Sequence, residues 1–366
     1  MSIILFLIVL AVLVLVHEFG HFFSAKRLGI RVDEFGLGFA PRMWGKKIGE
    51  TIYSINWIPF GGFVRIFGET PDAENMSGPD ASRSFINKPR WAQAIVLVSG
   101  VAMNILFAWF LFTIALSSGL TTAVSEKNDS YIENRRIIIT GLAPQSPASE
   151  GGLVAGDTIV SIRSRGATTT VSSIETVQEA IKTSSGGMVS FDLIRGDAEK
   201  KPVFVRIMPE KGLIDDGYAV GISLDVVGEA KLPIHLAIVE GARLTWAIFV
   251  SIFSHLFALI TDAFRGEADL SGLSGPVGIA GLVGDASRLG VVYLMSFTAF
   301  ISLNLAALNL LPFPALDGGR LLFVLIEAIM RKPIRPKVAN TINAVGFGIL
   351  ILLMLFVTYR DIAKLF

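Results

Sequence analysis

The chain has 366 residues, 52% of them hydrophobic and only 17% charged, with a net charge of +1 and no cysteine. Soluble domains carry nearer a quarter charged residues, so the composition describes a protein with several membrane spans. The net charge says nothing about nucleic acid, but no basic tract or nucleic-acid motif stands out and no such partner is expected; the missing thiols exclude disulfides and thiolate metal sites. Any metal site must then use carboxylates and the four histidines, 17, 21, 235 and 255.

Ser2 to about Ala25 reads as the first span, with no charge from Ile3 to Val16. No Lys or Arg precedes it and no A-x-A-like end follows, so a cleaved signal peptide is not expected. Lys26, Arg27 and Arg31 come next, which by the positive-inside rule turns this end toward the cytoplasm. Inside the span lies His17-Glu18-Phe19-Gly20-His21. Each charged side chain at membrane depth costs about 2.5–3.5 kcal/mol on insertion scales, so such groups call for partners. The two histidines are i and i+4 and share one helix face. That is the H-E-x-x-H arrangement, two zinc-binding His with a Glu between them as general base. The plainer alternative is a pair of histidines hydrogen-bonding to neighbouring helices.

Residues 33–68 are rich in Gly, aromatics and β-formers and break at Gly and Pro, which predicts short strands. They form either a cytoplasmic hairpin or a sheet touching the membrane or the site's mouth. Residues 69–89 are polar, acidic and Pro-containing, as a cytoplasmic loop is. Ala92 to Ser118 is the second span, and its Asn104 reads as inter-helix glue. From Glu126 to about Gly212 charges return, β-type runs alternate with Gly/Ser turns, and a helix is expected over Ser173–Lys182. This is a separate folded domain, about 127–211, and two preceding spans put it outside the cytoplasm.

Residues 237–265 are apolar enough to resemble a span, yet Glu240, Arg243, Ser251, Ser254, His255, Asp262 and Arg265 fall on one helical stripe. The pattern predicts an amphipathic helix in the interface or against the bundle. His255 belongs to that stripe, and His235 precedes it without a motif. Residues 290–311 are a clear span that runs into Leu311-Pro312-Phe313-Pro314-Ala315-Leu316-Asp317-Gly318-Gly319-Arg320. A membrane-depth Asp is a functional candidate, here a third metal ligand. Its alternative is a helix cap after a Pro-broken end. Arg331, Lys332, Arg335 and Lys337 mark a cytoplasmic loop, and Ile342–Tyr359 is the last span. If 244–261 crossed, Asp317 would lie across the bilayer from His17 and His21. We therefore expect four spans with both termini outside.

With both motifs in hand, the chain resembles the site-2 protease family of intramembrane zinc metalloproteases, in its bacterial RseP-like branch. His17-Glu18-Phe19-Gly20-His21 is similar to the family's first motif and Asn309 through Gly319 to its second. The resemblance implies His17, His21 and Asp317 as ligands of Zn²⁺, Glu18 as the catalytic base and Asn309 as a substrate contact. Pro59-Phe60-Gly61-Gly62-Phe63-Val64-Arg65 resembles the family's membrane-reentrant β-segment, which implies substrate contacts at Gly61, Gly62 and Phe63. Residues 137–209, with Ser146-Pro147-Ala148 and Gly156-Asp157-Thr158-Ile159, resemble a PDZ domain, and Ser274 through Ala280 also has a family counterpart. One PDZ-like domain stands where well-known relatives have two, and Gly100-Val101 stands where they often have Gly-Pro.

The expected fold is a polytopic α-helical membrane protein of four transmembrane helices, with a membrane-associated β-structure and an inserted α+β PDZ-like domain. Its parts are a first membrane half (1–118), the PDZ-like domain (127–211) and a second membrane half (232–366). The expected function is zinc-dependent hydrolysis of peptide bonds in or near transmembrane segments of single-span substrates. Such an enzyme serves regulated proteolysis, such as anti-sigma factor or remnant signal peptide cleavage. The bacterial inner membrane would house it, with its active site toward the cytoplasm and the PDZ-like domain, binding a peptide or substrate segment, outside. A non-catalytic PDZ receptor with a vestigial metal site is the alternative. A zinc transporter is a third reading, against which polar groups gathered at one depth argue.

Overall fold

The computed structural model describes residues 2–69, 77–123, 131–196, 201–213, 217–267 and 274–363. Parts of the expected 69–89 loop and of the 127–211 domain (residues 70–76, 127–130 and 197–200) lie outside them. The chain divides into two compact units, one of Met1–Phe112, Ile238–Asp285 and Met295–Phe366, the other of Thr113–Ala237 and Ala286–Leu294. Among the described residues, five helices are long and apolar enough to cross a membrane. They are α1 (Ser2–Arg27), α2 (Arg90–Ser117), α5 (Ile234–Arg265), α7 (Val291–Leu310) and α9 (Pro336–Ala363). The protein is an integral membrane protein with a β-rich domain.

In the first unit α1 ends because Gly29 takes φ +66°, a left-handed conformation that costs glycine least. The Ile30 N–H then reaches back to the Ala25 carbonyl at 2.9 Å, and Ile30 is wholly buried with Ala25, Val32, Ile66 and Val96. This turn hands the chain directly to β1 (Val32–Ile48), which pairs antiparallel with β2 (Thr51–Ile66). The expected short strands are in fact two continuous ones, each doubled back on itself. Glu34 pairs with both Ile52 and Arg65, and Gly36 with both Ser54 and Phe63. The first half of β1 is thereby flanked by both arms of β2, leaving the Gly62–Ile66 arm at one edge. The bends fall at Gly38 (φ +78°) and Gly61 (φ +77°), and a Cβ on Gly38 would meet the Ile58 carbonyl at 2.5 Å.

The rest of this unit is helical. Val101, Ala108, Leu111 and Phe112 of α2 pack with Phe249 and Ile252 of α5 and with Ala299, Leu303, Ala306 and Ala307 of α7. The small residues of α7 let the helix axes approach closely, as packing in lipid requires. After α7 the chain turns through Leu311–Leu316 into α8 (Asp317–Met330). Gly318 and Gly319 are demanded by that turn, since a Cβ on either would lie 2.2 Å from a carbonyl oxygen, of Leu311 and Phe313 respectively. Asn343 of α9 accepts the Ala315 N–H at 3.2 Å and holds the turn from the other side. The Gly275-Pro276-Val277-Gly278 stretch starts α6 (Pro276–Arg288), whose Gly278 N–H donates to the buried Asp361 carboxylate of α9 at 2.8 Å.

Among its described residues the second unit contains a seven-stranded sheet in the order β3-β11-β4-β5-β7-β8, with β6 beside β5, and a two-stranded pair of β9 (Glu210–Lys211) and β10 (Tyr218–Ala219). The strands of the larger sheet are β3 (Leu120–Ala123), β4 (Ile132–Leu142), β5 (Thr158–Ser164), β6 (Ala167–Thr170), β7 (Val189–Arg195), β8 (Lys201–Ile207) and β11 (Ile222–Ala230). The one-turn α3 (Pro147–Glu150) carries a capping box from Ser146 and Ser149. Helix α4 (Ile174–Thr183) begins where Ser173 caps the Thr176 N–H, and buries Val177 and Ile181 against Ile139, Ile162 and Phe191. Asp157 is buried and takes a two-pronged bond from Arg195, 2.7 Å on each side, which holds the Arg195 guanidinium above its ordinary pKa. A groove of about 660 Å³ runs between α4 and the chain from Tyr218 to Leu224. Along it, among the described residues, β3 pairs with Val227–Ala230 and leaves the Ile222–Val226 edge of β11 open.

Candidate metal centre

Helix α1 presents His17, Glu18 and His21 in its C-terminal half, and the turn before α8 delivers Asp317 to the same place. His17 Nε2 lies 3.0 Å and His21 Nε2 3.2 Å from Asp317 Oδ2, and the two nitrogens are 3.1 Å apart. Among the described residues this is the single group of three His, Asp or Glu side chains close enough to share an ion. Asp317 is the first residue of α8, and Leu316 occupies the cap position without a side-chain hydrogen bond. The Asp317 carboxylate is thus turned to the two imidazoles, not to its own helix end.

The donor set fits a zinc ion. Two imidazole nitrogens and a carboxylate oxygen converge, a three-ligand set of the kind catalytic zinc takes while keeping a position open. Room for it is provided by Gly100 of α2, where a Cβ would lie 2.4 Å from His21 Nε2 and 2.8 Å from His17 Cε1. His21 is held by its other nitrogen, whose Nδ1–H donates to the Val96 carbonyl at 2.8 Å. A carbonyl only accepts, so this bond puts the proton on Nδ1 and leaves the Nε2 lone pair facing the cluster. On the far side of His17, the Asn104 amide stands 3.4 Å from Nδ1.

Glu18 does not join the cluster of ligand atoms. Its Oε2 accepts the backbone N–H of Val64 at 3.0 Å, so the edge arm of β2 fixes the carboxylate beside the two histidines. These groups line a cavity of about 320 Å³ together with Val14, Phe63, Leu305, Asn309 and Arg320. Phe63 and Asn309, both singled out from sequence, therefore face the same space as Glu18. Gly61 packs against Val14, and Gly62 lies 3.9 Å from Glu18 Cγ measured from where a Cβ would stand, so both keep the strand close to α1. Arg320 pairs with Glu69 at the cavity wall. His255 instead turns to its own helix, its Nδ1–H donating to the Ser251 carbonyl at 2.7 Å, and is exposed.

Four contributors escaped sequence reasoning. Val64 and Val96 act through backbone atoms, which leave no residue-type signal. Gly100 and Asn104 stand i and i+4 on one face of α2, but nothing local to α2 ties that face to the two histidines opposite it.

Comparison with known proteins agrees with this geometry. The model of peptidase family M50 matches residues 5–353. A protein of Clostridium perfringens named as a zinc metalloprotease is 35% identical over 364 residues, covering 99% of this chain and 98% of its own. Zinc metalloprotease RasP of Geobacillus kaustophilus is 30% identical over 427 residues, covering 100% and 98%. The regulator of sigma-W protease RasP of Bacillus subtilis is 28% identical over 440 residues, covering 100% and 99%. With a family match across nearly the whole chain and the ligand geometry above, the chain belongs to peptidase family M50, the site-2 protease family of zinc metalloproteases.

Proposed function

We propose that this chain is a zinc-dependent intramembrane endopeptidase that hydrolyses peptide bonds in or near the transmembrane segments of single-span proteins. The observation that carries this reading is the convergence of His17, His21 and Asp317 beside Glu18 in one cavity against the long apolar helix α1. His17 Nε2, His21 Nε2 and Asp317 Oδ2 would hold the ion. Zinc supplies Lewis acidity to an attacking water and to the scissile carbonyl. Glu18 accepts the proton of that water and returns it to the leaving amine, with Val64 keeping its carboxylate in place. Asn309 donates to the substrate carbonyl as negative charge develops there.

A helical substrate must open before it can be cut, because its carbonyls are tied into the helical ladder. The edge arm Gly62–Ile66 beside Glu18 supports strand addition as the way the opened backbone is received, with Phe63 and the adjoining glycines as contacts. The second unit reads as the PDZ-like domain, with the open edge of β11 and the groove against α4 taking a peptide or substrate segment.

Helix directions support four spans. Arg90, at the start of α2, pairs with Glu327 of α8 at 2.9 Å, and the Asn104 carbonyl further along accepts Ser302 Oγ of α7 at 2.8 Å. The path from Ser302 through Asp317 to Glu327 therefore retraces α2 in the opposite sense. Helix α7 must enter from the side on which α2 leaves, so α5 between them does not cross. The first span's basic end then puts the metal centre toward the cytoplasm and the PDZ-like domain outside, in a bacterial inner membrane. By analogy with the sigma-W regulator relative, the substrates would be membrane-anchored anti-sigma factors, with remnant signal peptides as a second class.

The reading is tested with Glu18→Gln in detergent-solubilised protein and a model single-span substrate. The variant should bind zinc like the parent and cut nothing. Turnover at the parent's rate would remove Glu18 from the chemistry, and a parent that binds no zinc would remove the function. A receptor with a degraded site would not be expected to keep all four groups together, as they are here.

A further inference from the structure

The two histidines are not held alike. His21 has a backbone carbonyl at Nδ1, which admits one tautomer only. His17 has the side-chain amide of Asn104, which can present either a donor or an acceptor. In the orientation seen, Asn104 Nδ2 points at His17 Nδ1 from 3.4 Å, while Asn104 Oδ1 is buried and has no hydrogen-bond partner among the described residues. Asn104 is itself completely buried, and its backbone carbonyl is occupied by Ser302 Oγ.

With the amide donating, His17 Nδ1 must be an acceptor, so the imidazole proton sits on Nε2 and points at Asp317. That arrangement leaves no Nε2 lone pair for an ion. With the amide turned over, Oδ1 accepts a proton from His17 Nδ1 and the Nε2 lone pair is free for an ion. Nothing now bonded to Oδ1 is lost in that turn, since nothing is bonded to it. The two ends of an amide are nearly the same size, so the packing around it does not oppose the change.

We propose that Asn104 is the positioning residue of His17: its amide carbonyl accepts the His17 Nδ1–H and so selects the tautomer that ligates metal through Nε2. This rests on the zinc reading of the same site and deepens it. Two outer partners then act in parallel, the Val96 carbonyl on His21 and the Asn104 amide on His17. Both come from α2, which with Gly100 between them forms the outer wall of the centre.

The test is metal affinity of the full-length protein in detergent, measured for Zn²⁺ by chelator competition and for Co²⁺ by its visible absorption. Asn104→Leu keeps the volume and removes the acceptor, and should bind either ion about 10–100-fold more weakly, the usual cost of losing an outer partner. Asn104→Asp keeps an acceptor and removes the donor, and should bind within about threefold of the parent or tighter, in line with carboxylate–histidine–metal triads. A packing role predicts the reverse order, because a buried carboxylate is the more disruptive change. The proposal is overturned if Asn104→Leu binds as the parent does, or if Asn104→Asp falls as far as Asn104→Leu.

A measurement on the unaltered protein guards against variants that do not fold. With ¹⁵N-histidine labelling, the zinc-loaded protein should show two ligating imidazoles, both with a protonated Nδ1. One ligating imidazole without that proton means Asn104 donates, and the inference fails while the zinc reading stands. Absence of any ligating imidazole overturns both.

Discussion

Replacing Gly100 by Ala puts the packing of α2 against the two histidines to a direct test. The added Cβ would stand 2.4 Å from His21 Nε2 and 2.8 Å from His17 Cε1, where ordinary contact begins near 3.4 Å. His21 Nε2 must therefore retreat by about 1 Å, roughly half the 2.0–2.1 Å length of a zinc–imidazole bond. Backbone relaxation is restricted on the other side, because a Cβ on Gly20 would already meet the Ser99 carbonyl at 2.3 Å, which shows how closely α1 and α2 approach. A misplacement of this size in a catalytic constellation costs about 10²-fold in rate. Helix propensity cannot account for such a loss, since Ala is preferred over Gly by about 1 kcal/mol. Zinc affinity by chelator competition and cleavage of a model substrate at saturating zinc should both fall by between one and two orders of magnitude. Gly348→Ala in α9, which has nothing within 4 Å, is the matched control and should leave both unchanged. A Gly100→Ala protein with parental zinc affinity and turnover would refute the claim that this glycine makes room for the ligands.

Three further outcomes follow from the same physical grounds. The hydrogen bond from Lys26, opposed by burial and joined by one from Arg83, holds the Glu50 carboxyl below its ordinary value. Its contribution is present above the unfolded value of about 4.3 and is lost as pH falls through the lowered folded value, so Glu50→Gln should flatten the acid limb of a melting-temperature profile. That ion pair is partly exposed and worth less than about 1 kcal/mol, so a melting point moved by tens of degrees would contradict it. Deleting residues 127–211 should leave zinc binding and peptide-bond cleavage intact while changing which substrates are cut. A folded, zinc-loaded deletion protein that cuts no substrate of any length would make the region part of the catalytic unit. Single cysteines are clean reporters of sidedness here, as the chain has none. Ser287→Cys should react with an impermeant reagent from outside and Asn340→Cys should not; the opposite pattern would mean that α5 crosses.

The site was legible where its chemistry is written in residue types at local spacing. His17, Glu18 and His21 declare themselves because one helical turn fixes their relation before any tertiary structure is considered. Asp317 lies 300 residues away from His17 and still stood out, because a carboxylate at membrane depth is costly enough to need a reason. What could not be decided from sequence was whether it served the metal or its own helix, since both uses place an Asp after a broken helix end. The geometry of the turn separates them: Leu316 takes the cap position, so the Asp317 side chain is left free to face α1. Asn104 was read as glue for a good reason, because most lone amides in spans are. Its environment differs from that average in one respect, the imidazole opposite it, and no local pattern in α2 names its partner on α1. The β-region was legible in composition but not in its path, because the register that doubles β1 between two arms of β2 depends on bends at Gly38 and Gly61.

On the four-span reading proposed above, helix α5 shows why hydropathy alone does not count spans. Its composition passes the same threshold as the four other long helices, and its exposed Trp246, Val250 and Phe257 would suit lipid. Hydropathy measures how much apolar surface a helix has, whereas crossing depends on where both of its ends must be. Gly241, Thr245, Phe249 and Ile252 form one buried line along α5, while Arg243, Ser251, Ser254 and His255 remain exposed on others. A helix that crossed would have to carry those groups through the hydrocarbon, where Arg243 has Glu240 of the same helix at 2.6 Å and His255 has the Ser251 carbonyl and hydroxyl one turn back. One lying in the interface needs no such partners, because the same groups reach water. The cost of the crossing would also be paid twice, since α7 would then run from the wrong side and carry Asp317 away from His17 and His21. On that reading the metal centre constrains a helix that contributes none of its ligands.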